Sequence, residues 1–284
     1  MAATTCRRDI STELAYWESV PGKAIHIDFT IPGGEERYNA LKDVRAAHPV
    51  TIHDIRGRET EFTLDRNGFQ YIRHEAPGLE NCSSEDEFAA ALVPETEKLV
   101  QKLTGATKTV VISNRVRCMI TDTAKRADSR APAFAVHSDF TITGALHHLE
   151  KIIENPAERE QLMKGRVYVI NVWRPLKTIT RDPLAVCDWK SVEPDTDWLA
   201  NRFMFSHGWN EFGGVVHNEK HKWFYLSHQE PSEPLVFAQF DSKEMENGGM
   251  TLAHSAFVDP EYADSNARES IEIKMFAFVP DGNS

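Results

Sequence analysis

Polar and apolar positions in this chain are patterned mainly at period two. Ala-Ile-His26-Ile-Asp28-Phe-Thr-Ile alternates and ends at Pro32-Gly33-Gly34, and Val50-Thr-Ile-His-Asp-Ile ends at Arg56-Gly57. Both read as strands closed by turn residues. Lys108-Thr-Val-Val-Ile-Ser reads as another. From Arg166 onward the β pattern dominates. Residues 167–173, closed by Arg174-Pro175, and then 222–227, 235–240 and 270–278 are strand candidates separated by Pro, Gly, Asn and Asp clusters.

Two stretches depart from alternation. Ser84-Glu-Asp-Glu87 is a capping-box signature ahead of an Ala/Leu-rich run reaching Leu103, with Gly105 as its stop and a bend expected at Pro94. A second helix is expected through His147, His148 and Ile152. It should end near Glu154, because Asn155 precedes Pro156 and is biased away from helical angles. A few helices beside many strands predict a mainly β fold with flanking α-helices and a double-stranded β-helix, of jelly-roll or cupin type, at its core. No linker or repeat divides the chain, so residues 1–284 read as one domain.

Charge and composition narrow the function. A net charge of -11 with no Lys/Arg-rich run argues against a nucleic-acid partner or an anionic membrane surface. No apolar run approaches a membrane span, and Met-Ala-Ala-Thr-Thr-Cys-Arg-Arg lacks the apolar stretch of a secretory signal. Cys6, Cys82, Cys118 and Cys187 are scattered, which excludes a disulfide framework or zinc ribbon by spacing. A cytoplasmic protein acting on a small molecule is the expectation.

The candidate chemistry lies in Ala-Val-His137-Ser-Asp139-Phe-Thr-Ile. On a strand, His137 and Asp139 project to one side and Ser138 to the other. An imidazole and a carboxylate on one face supply two ligands of an octahedral metal, and a distant histidine would complete the two-His, one-carboxylate triad used for non-haem Fe(II) oxygen activation. His254, in Thr-Leu-Ala-His254-Ser-Ala-Phe, suits that role. Arg268 is the one arginine after Arg202, and period two puts its guanidinium beside the Ser270 hydroxyl. Fork and hydroxyl together suit the distal end of a dicarboxylate. The arrangement is expected if His254 and Arg268 occupy neighbouring strands of one barrel. This points to an Fe(II)- and 2-oxoglutarate-dependent oxygenase.

Competing readings exist for each motif. His26-Ile-Asp28 is a second His-x-Asp on an equally apolar strand, and the later motif is favoured because a β-rich half follows it. His207, His217, His221 and His228 fall in a polar, Gly-rich stretch and read as solvated loop residues. His147 and His148 are adjacent on a helix and do not share a face. A surface ion pair with Glu269 or Glu272 is the bland alternative for Arg268.

The chain resembles the fungal hydroxylase/desaturase family of Fe(II)/2-oxoglutarate-dependent oxygenases, which includes gibberellin desaturase and, grouped with it, proteins associated with cephamycin methoxylation. The likeness runs from about Tyr16 to Phe278. It rests on Asn114-Arg-Val-Arg117, Val136-His137-Ser-Asp139, Asn171-Val-Trp-Arg174-Pro-Leu, Pro183-Leu-Ala-Val-Cys-Asp188, Phe237-Ala-Gln-Phe-Asp241-Ser, His254-Ser-Ala-Phe and Arg268-Glu-Ser270-Ile-Glu. It implies the jelly-roll fold, Fe(II), 2-oxoglutarate and O2, and oxidation of a small molecule in specialised metabolism. It further implies that His137, Asp139 and His254 hold iron and that Arg268 and Ser270 hold the co-substrate. Some members have been labelled methyltransferases, but no Gly-rich strand-to-helix turn is present for S-adenosylmethionine.

Arg115, Arg117 and Arg174 are the candidates for binding an acidic substrate, and Trp173, Trp209, Trp223 and Phe140 for lining its pocket. Two other classes fit parts of the pattern: a cupin-like metal-dependent hydrolase using the same triad to activate water, and a non-catalytic jelly-roll small-molecule-binding protein. The hydrolase has no need of Arg268 beside Ser270, and the binding protein would treat the histidines as incidental.

Overall fold

The alternating stretches become strands in the computed structural model, which describes residues 7–18, 25–118 and 131–282. Among those residues the strands are β1 (Ile10–Trp17), β2 (Ile25–Asp28), β3 (Arg45–Asp54), β4 (Phe69–Tyr71), β5 (Lys108–Cys118), β6 (His137–Ser138) and β7 (Arg166–Pro175). They continue with β8 (Leu184–Cys187), β9 (Trp198–Phe205), β10 (Gly208–Val215), β11 (Trp223–Tyr225), β12 (Leu235–Asp241), β13 (His254–Ala256) and β14 (Glu269–Val279). The helices are α1 (Gly34–Ala40), α2 (Leu64–Asn67), α3 (Glu85–Thr104), α4 (Ile142–Ile152) and α5 (Pro156–Met163). A nine-stranded sheet runs β1-β3-β11-β8-β13-β6-β10-β9-β2, and a five-stranded sheet runs β4-β12-β7-β14-β5. The expected N-terminal features at Met1–Cys6 lie outside the described residues.

Local chemistry explains where the helices sit. The Ser84 hydroxyl accepts from the Glu87 amide while the Glu87 carboxylate accepts from the Ser84 amide, and Gly105 ends α3 at φ 75°. Pro94 is accommodated inside that helix. The second expected helix is α4, which stops at Ile152. The Asn155-Pro156 pair starts a further helix as well: the Asn155 carboxamide accepts from the Ala157 and Glu158 amides, with proline in the first turn of α5.

The five-stranded sheet is buried on both faces, so β7 reads as a continuous apolar run. Tyr168, Ile170 and Val172 pack with Leu92, Leu99 and Val100 of α3. The alternate residues Val167 and Val169 meet Phe140 and Leu149 near α4, and Trp173 meets Leu184, Val186 and Phe237 between the sheets. The metal-site candidates lie in this inner layer.

One stretch differs from the sequence expectation. The Gly-rich stretch that carries His207, His217, His221 and His228 begins in the β9–β10 hairpin, with His207 exposed at the turn as expected. Its glycines mark close packing. A Cβ on Gly213 would lie 2.7 Å from the Trp198 ring, and one on Gly214 would lie 2.6 Å from the Asn201 amide. His221 is buried too, donating from Nε2 to Asp197 Oδ2 at 3.0 Å. His217 stacks on His48 with centroids 4.2 Å apart. A polar run is compatible with burial when each imidazole finds a carboxylate or a ring.

Candidate metal centre

His137 and His254 come from antiparallel neighbours, β6 and β13, and are directly paired in register. Their rings therefore share one face of the nine-stranded sheet, with centroids 4.3 Å apart. Asp139 follows two residues after His137 and projects to the same side. Its Oδ1 is 3.9 Å from His137 Nε2 and its Oδ2 is 3.8 Å from His254 Nε2. One candidate ligand atom from each of the three lies within 4.8 Å of the others.

The tautomers follow from the hydrogen bonds. His137 Nδ1 is 2.7 Å from the Ala135 carbonyl and His254 Nδ1 is 3.2 Å from the Leu252 carbonyl. A carbonyl only accepts, so each Nδ1 carries the proton and each Nε2 presents a lone pair inward. Burial drives both imidazoles below their ordinary range, with His254 pushed down to about 3, and the neighbouring His137 adds to that effect. Both are neutral, as metal ligation requires. Burial alone would raise the Asp139 carboxyl, but the charge of Lys274 and its hydrogen bond outweigh it and hold the group ionised.

Five further residues shape the centre. Lys274 Nζ lies 3.1 Å from Asp139 Oδ1 and 3.3 Å from Glu272 Oε1, and Arg117 forks onto Glu272 at 3.0 and 3.2 Å. Burial acts to raise the Glu272 carboxyl, yet Lys274 and Arg117 hold it down at about 2. Asn171 Nδ2 donates to Asp139 Oδ2 at 3.3 Å. Gln239 is fully buried at the β12 bulge, whose register skips from Ala238 to Phe240. Its Oε1 accepts from the Asp139 amide at 2.7 Å and the Ser138 hydroxyl at 2.9 Å, while its Nε2 donates to the Leu252 carbonyl at 3.1 Å. One carboxamide of the smaller sheet thus ties together the two ligand-bearing segments of the larger one. The strand alternation Ser270-Ile-Glu272-Ile-Lys274 carried a signal for two of these residues: polar groups on one face of a strand whose other face is apolar. Asn171 and Gln239 fall within motifs that carry the family resemblance, but no periodicity marks them as neighbours of Asp139.

A cleft beside the metal-site candidates is lined by Arg117, His137, Asn171, Trp173, His254 and Arg268, among others. Arg268 is 4% exposed, donates from Nη1 to the Asp182 carbonyl at 2.7 Å, and lies over the Trp173 ring at 5.3 Å. Burial and then the charge of Arg117 press its guanidinium down to about 10, which leaves it a cation at neutral pH. Arg268 Nε and Ser270 Oγ are both buried without a partner. An unspent guanidinium N–H and an unspent hydroxyl fit a carboxylate arriving in that cleft. The donor set of two neutral imidazoles and one carboxylate fits Fe(II).

Several expectations are corrected by this arrangement. His254 and Arg268 do not lie on neighbouring strands: β13 belongs to the larger sheet and Arg268 leads into β14 of the smaller one, so they face each other across the sandwich. Arg174 shares the α3-facing side of β7 with Tyr168 and Val172 by alternation. Its fork is spent on the His74 and Pro231 carbonyls and on His74 Nδ1. Arg115 is exposed and is not among the cleft residues, whereas Arg117 is. Of the four aromatics, Trp173 lines the cleft. Trp209 stacks on His147, Trp223 donates to the Tyr16 hydroxyl, and Phe140 packs against α4. His26 and Asp28 sit on the edge strand β2, where Asp28 caps a turn at Thr30.

A family model described as an Oxidoreductase/YMDC permease-like domain matches residues 14–278. Among the described residues no helix is long and apolar enough to cross a membrane. The hydroxylase/desaturase efuI of Hormonema carpetanum is 30% identical over 312 residues, which cover 99% of each protein. The alpha-ketoglutarate-dependent dioxygenase tstK of Talaromyces stipitatus is 31% identical over 79% of this chain and 83% of its own length. Among solved structures, the iron and alpha-ketoglutarate-dependent endoperoxidase NvfI superposes with a TM-score of 0.80 at 24% identity, covering 96% of this chain and 99% of that one. That likeness establishes the double-stranded β-helix.

Proposed function

The chain belongs to the hydroxylase/desaturase family of iron- and 2-oxoglutarate-dependent oxygenases (2-oxoglutarate and alpha-ketoglutarate are the same compound), and from that membership we propose a division of labour among its residues. His137, Asp139 and His254 hold Fe(II), and Arg268 with Ser270 holds the distal carboxylate of 2-oxoglutarate. The substrate is a small molecule of fungal secondary metabolism, oxidised at an unactivated C–H by hydroxylation, desaturation or cyclisation. The protein works in the cytoplasm and takes no nucleic-acid partner.

When bound, Fe(II) with 2-oxoglutarate and O2 supplies the oxidant for that C–H. The chain's own residues do the rest. The Ala135 and Leu252 carbonyls fix the two imidazoles as Nδ1–H tautomers, so Nε2 is the free donor on each. Lys274 and Asn171 keep the Asp139 carboxylate ionised and oriented. Arg268, stacked on Trp173 and anchored to Asp182, presents its remaining N–H into the cleft. Burial of these groups excludes water and strengthens each charge-assisted contact.

The single observation that carries this assignment is the convergence of two inward Nε2 lone pairs and one carboxylate beside a buried Arg268–Ser270 pair with unspent donors. The test is aerobic conversion of 2-oxoglutarate to succinate by the iron-loaded protein, coupled to an oxygen-dependent mass change in a screen of acids, amino acids and terpenoids. Turnover that survives in His137→Ala and His254→Ala, but not in His26→Ala, overturns it.

A further inference from the structure

A second set of unspent polar groups lies on the other side of His137 from the Arg268 cleft. His137 is paired in register with Gly214 of β10, so both present the same face of the larger sheet. Gly214 has no side chain, and the space above it is taken by two neighbours. A Cβ there would lie 2.6 Å from Asn201 Nδ2 and 2.9 Å from the Trp17 ring. The Asn201 carboxamide and the Trp17 indole therefore share the ligand face, one to two strands from the metal-site candidates. Trp17 is fixed to that position by donating from Nε1 to the Val136 carbonyl at 3.0 Å, in the residue preceding His137. Trp17 is paired in turn with Arg45 on β3, whose guanidinium lies over the indole at 4.6 Å.

Neither polar side chain has a hydrogen bond among the described residues. Asn201 has no exposed surface, and both its Oδ1 and its Nδ2 lack a hydrogen bond. Arg45 is half-buried with its Nε unpartnered, and no ion pair or hydrogen bond reaches it among the described residues. A buried carboxamide leaving both ends unpaired costs stability, as does a half-buried guanidinium without an acid. Around them the packing is apolar, with Leu199, Phe203 and Phe212 against the cluster of Trp17, Ile27 and Leu41.

We propose that Arg45 and Asn201, on either side of Trp17, form the recognition end of the substrate site and take a carboxylate carried on an otherwise apolar small molecule. The guanidinium fork binds the acid, the indole supports the carbon skeleton, and the Asn201 carboxamide binds an oxygen substituent between the acid and the metal. With strands spaced about 4.8 Å apart, an acid held there leaves a C–H some ~10 Å away over the metal. The co-substrate's carboxylate is held by Arg268 from the opposite sheet, so two acids enter from opposite sides without competing. This assignment replaces Arg115 and Arg174 as the acid-binding candidates, and it rests on the oxygenase reading of the same centre.

The test uses the full chain, anaerobic and loaded with Fe(II) and 2-oxoglutarate, with decanoate and its methyl ester as probes. Wild type should bind decanoate at least ~10-fold more tightly than the ester, and Arg45→Met should lose ~10-fold or more of the acid affinity, as for a charged hydrogen bond removed from a partly desolvated site. Asn201→Leu, close in shape, should melt at the same temperature as wild type or higher, because it removes two unpaired buried atoms. Both variants should keep Fe(II) and 2-oxoglutarate affinity within about twofold, since neither residue touches those groups. Loss of 2-oxoglutarate or iron binding in wild type would sink the oxygenase reading instead, which separates the two failures. Equal binding of acid and ester by wild type, unchanged decanoate affinity in Arg45→Met, or a lower melting temperature for Asn201→Leu each overturns the proposal.

Discussion

His137 and His254 each bond through Nδ1 to the carbonyl two residues earlier, at 2.7 and 3.2 Å, which fixes where their lone pairs point before any metal arrives. Replacing either, or Asp139, with alanine should abolish Fe(II) binding measured by anaerobic titration. His26→Ala and Asp28→Ala, on the exposed edge strand, should bind normally. Loss of iron from the His26 variant with retention by the His137 variant would reverse the choice of motif. Arg268 tests the co-substrate half of the site. Arg268→Lys keeps a charge but loses the planar fork stacked on Trp173 and the bond to Asp182. Affinity for 2-oxoglutarate, followed by its metal-to-ligand absorption band, should drop by about 2–3 kcal/mol, roughly two orders of magnitude, with iron binding nearly intact. Wild-type affinity would remove Arg268 from the co-substrate site.

At the scale of elements, the centre depends on two sheets keeping register with each other. Gln239 does this across the sandwich, linking Asp139 and Ser138 on one side to Leu252 on the other. Gln239→Leu should weaken Co(II) affinity about 10- to 100-fold, the range found when outer-shell partners of metal ligands are removed. Its d–d spectrum should change while the apo protein stays folded by circular dichroism. An unchanged spectrum and affinity in a folded variant would make the residue mere core. The α3 cap gives a contrasting case with no path to the metal. Ser84→Ala removes one half of a complete capping box and should cost about 1 kcal/mol in urea denaturation with Co(II) affinity unaltered.

Across the whole molecule, buried neutral histidines set the acid limit of the metal-free protein. His137, His254 and His221 all have folded values below their ordinary one, burial being the main cause in each. The unfolded chain therefore takes up more protons as pH drops below about 6.5. Their contribution is fully present above that pH and is lost as pH falls toward the folded values, about 3 for His254. The urea midpoint of the apo protein should decline steadily from pH 7.5 to pH 5, and a midpoint that rises over that interval contradicts the assignment of neutral, buried imidazoles. Fe(II) should raise the melting temperature through selective binding to the native state, by less at pH 5.5 than at pH 7.5, because protons and metal compete for the same Nε2 atoms.

The sequence by itself determined the local pieces of this protein. Alternation located β5, β7, β12 and β14, the capping box located α3, and His-x-Asp spacing put two side chains on one face because a strand has period two. Arg268 with Ser270 was legible for the same reason. Tertiary structure decided what no local period can encode. It paired His137 with His254 in mid-sheet and left His26 on an edge. It turned Arg174 toward α3, buried His221 against Asp197, and made Gly214 of β10 the contact point for Trp17 and Asn201. It also brought Gln239, Asn171 and Lys274 to Asp139 from 100, 32 and 135 residues away. Whether a polar residue faces solvent or a buried partner depends on which surface the opposite sheet lays over it, and that surface is supplied by residues distant in the chain.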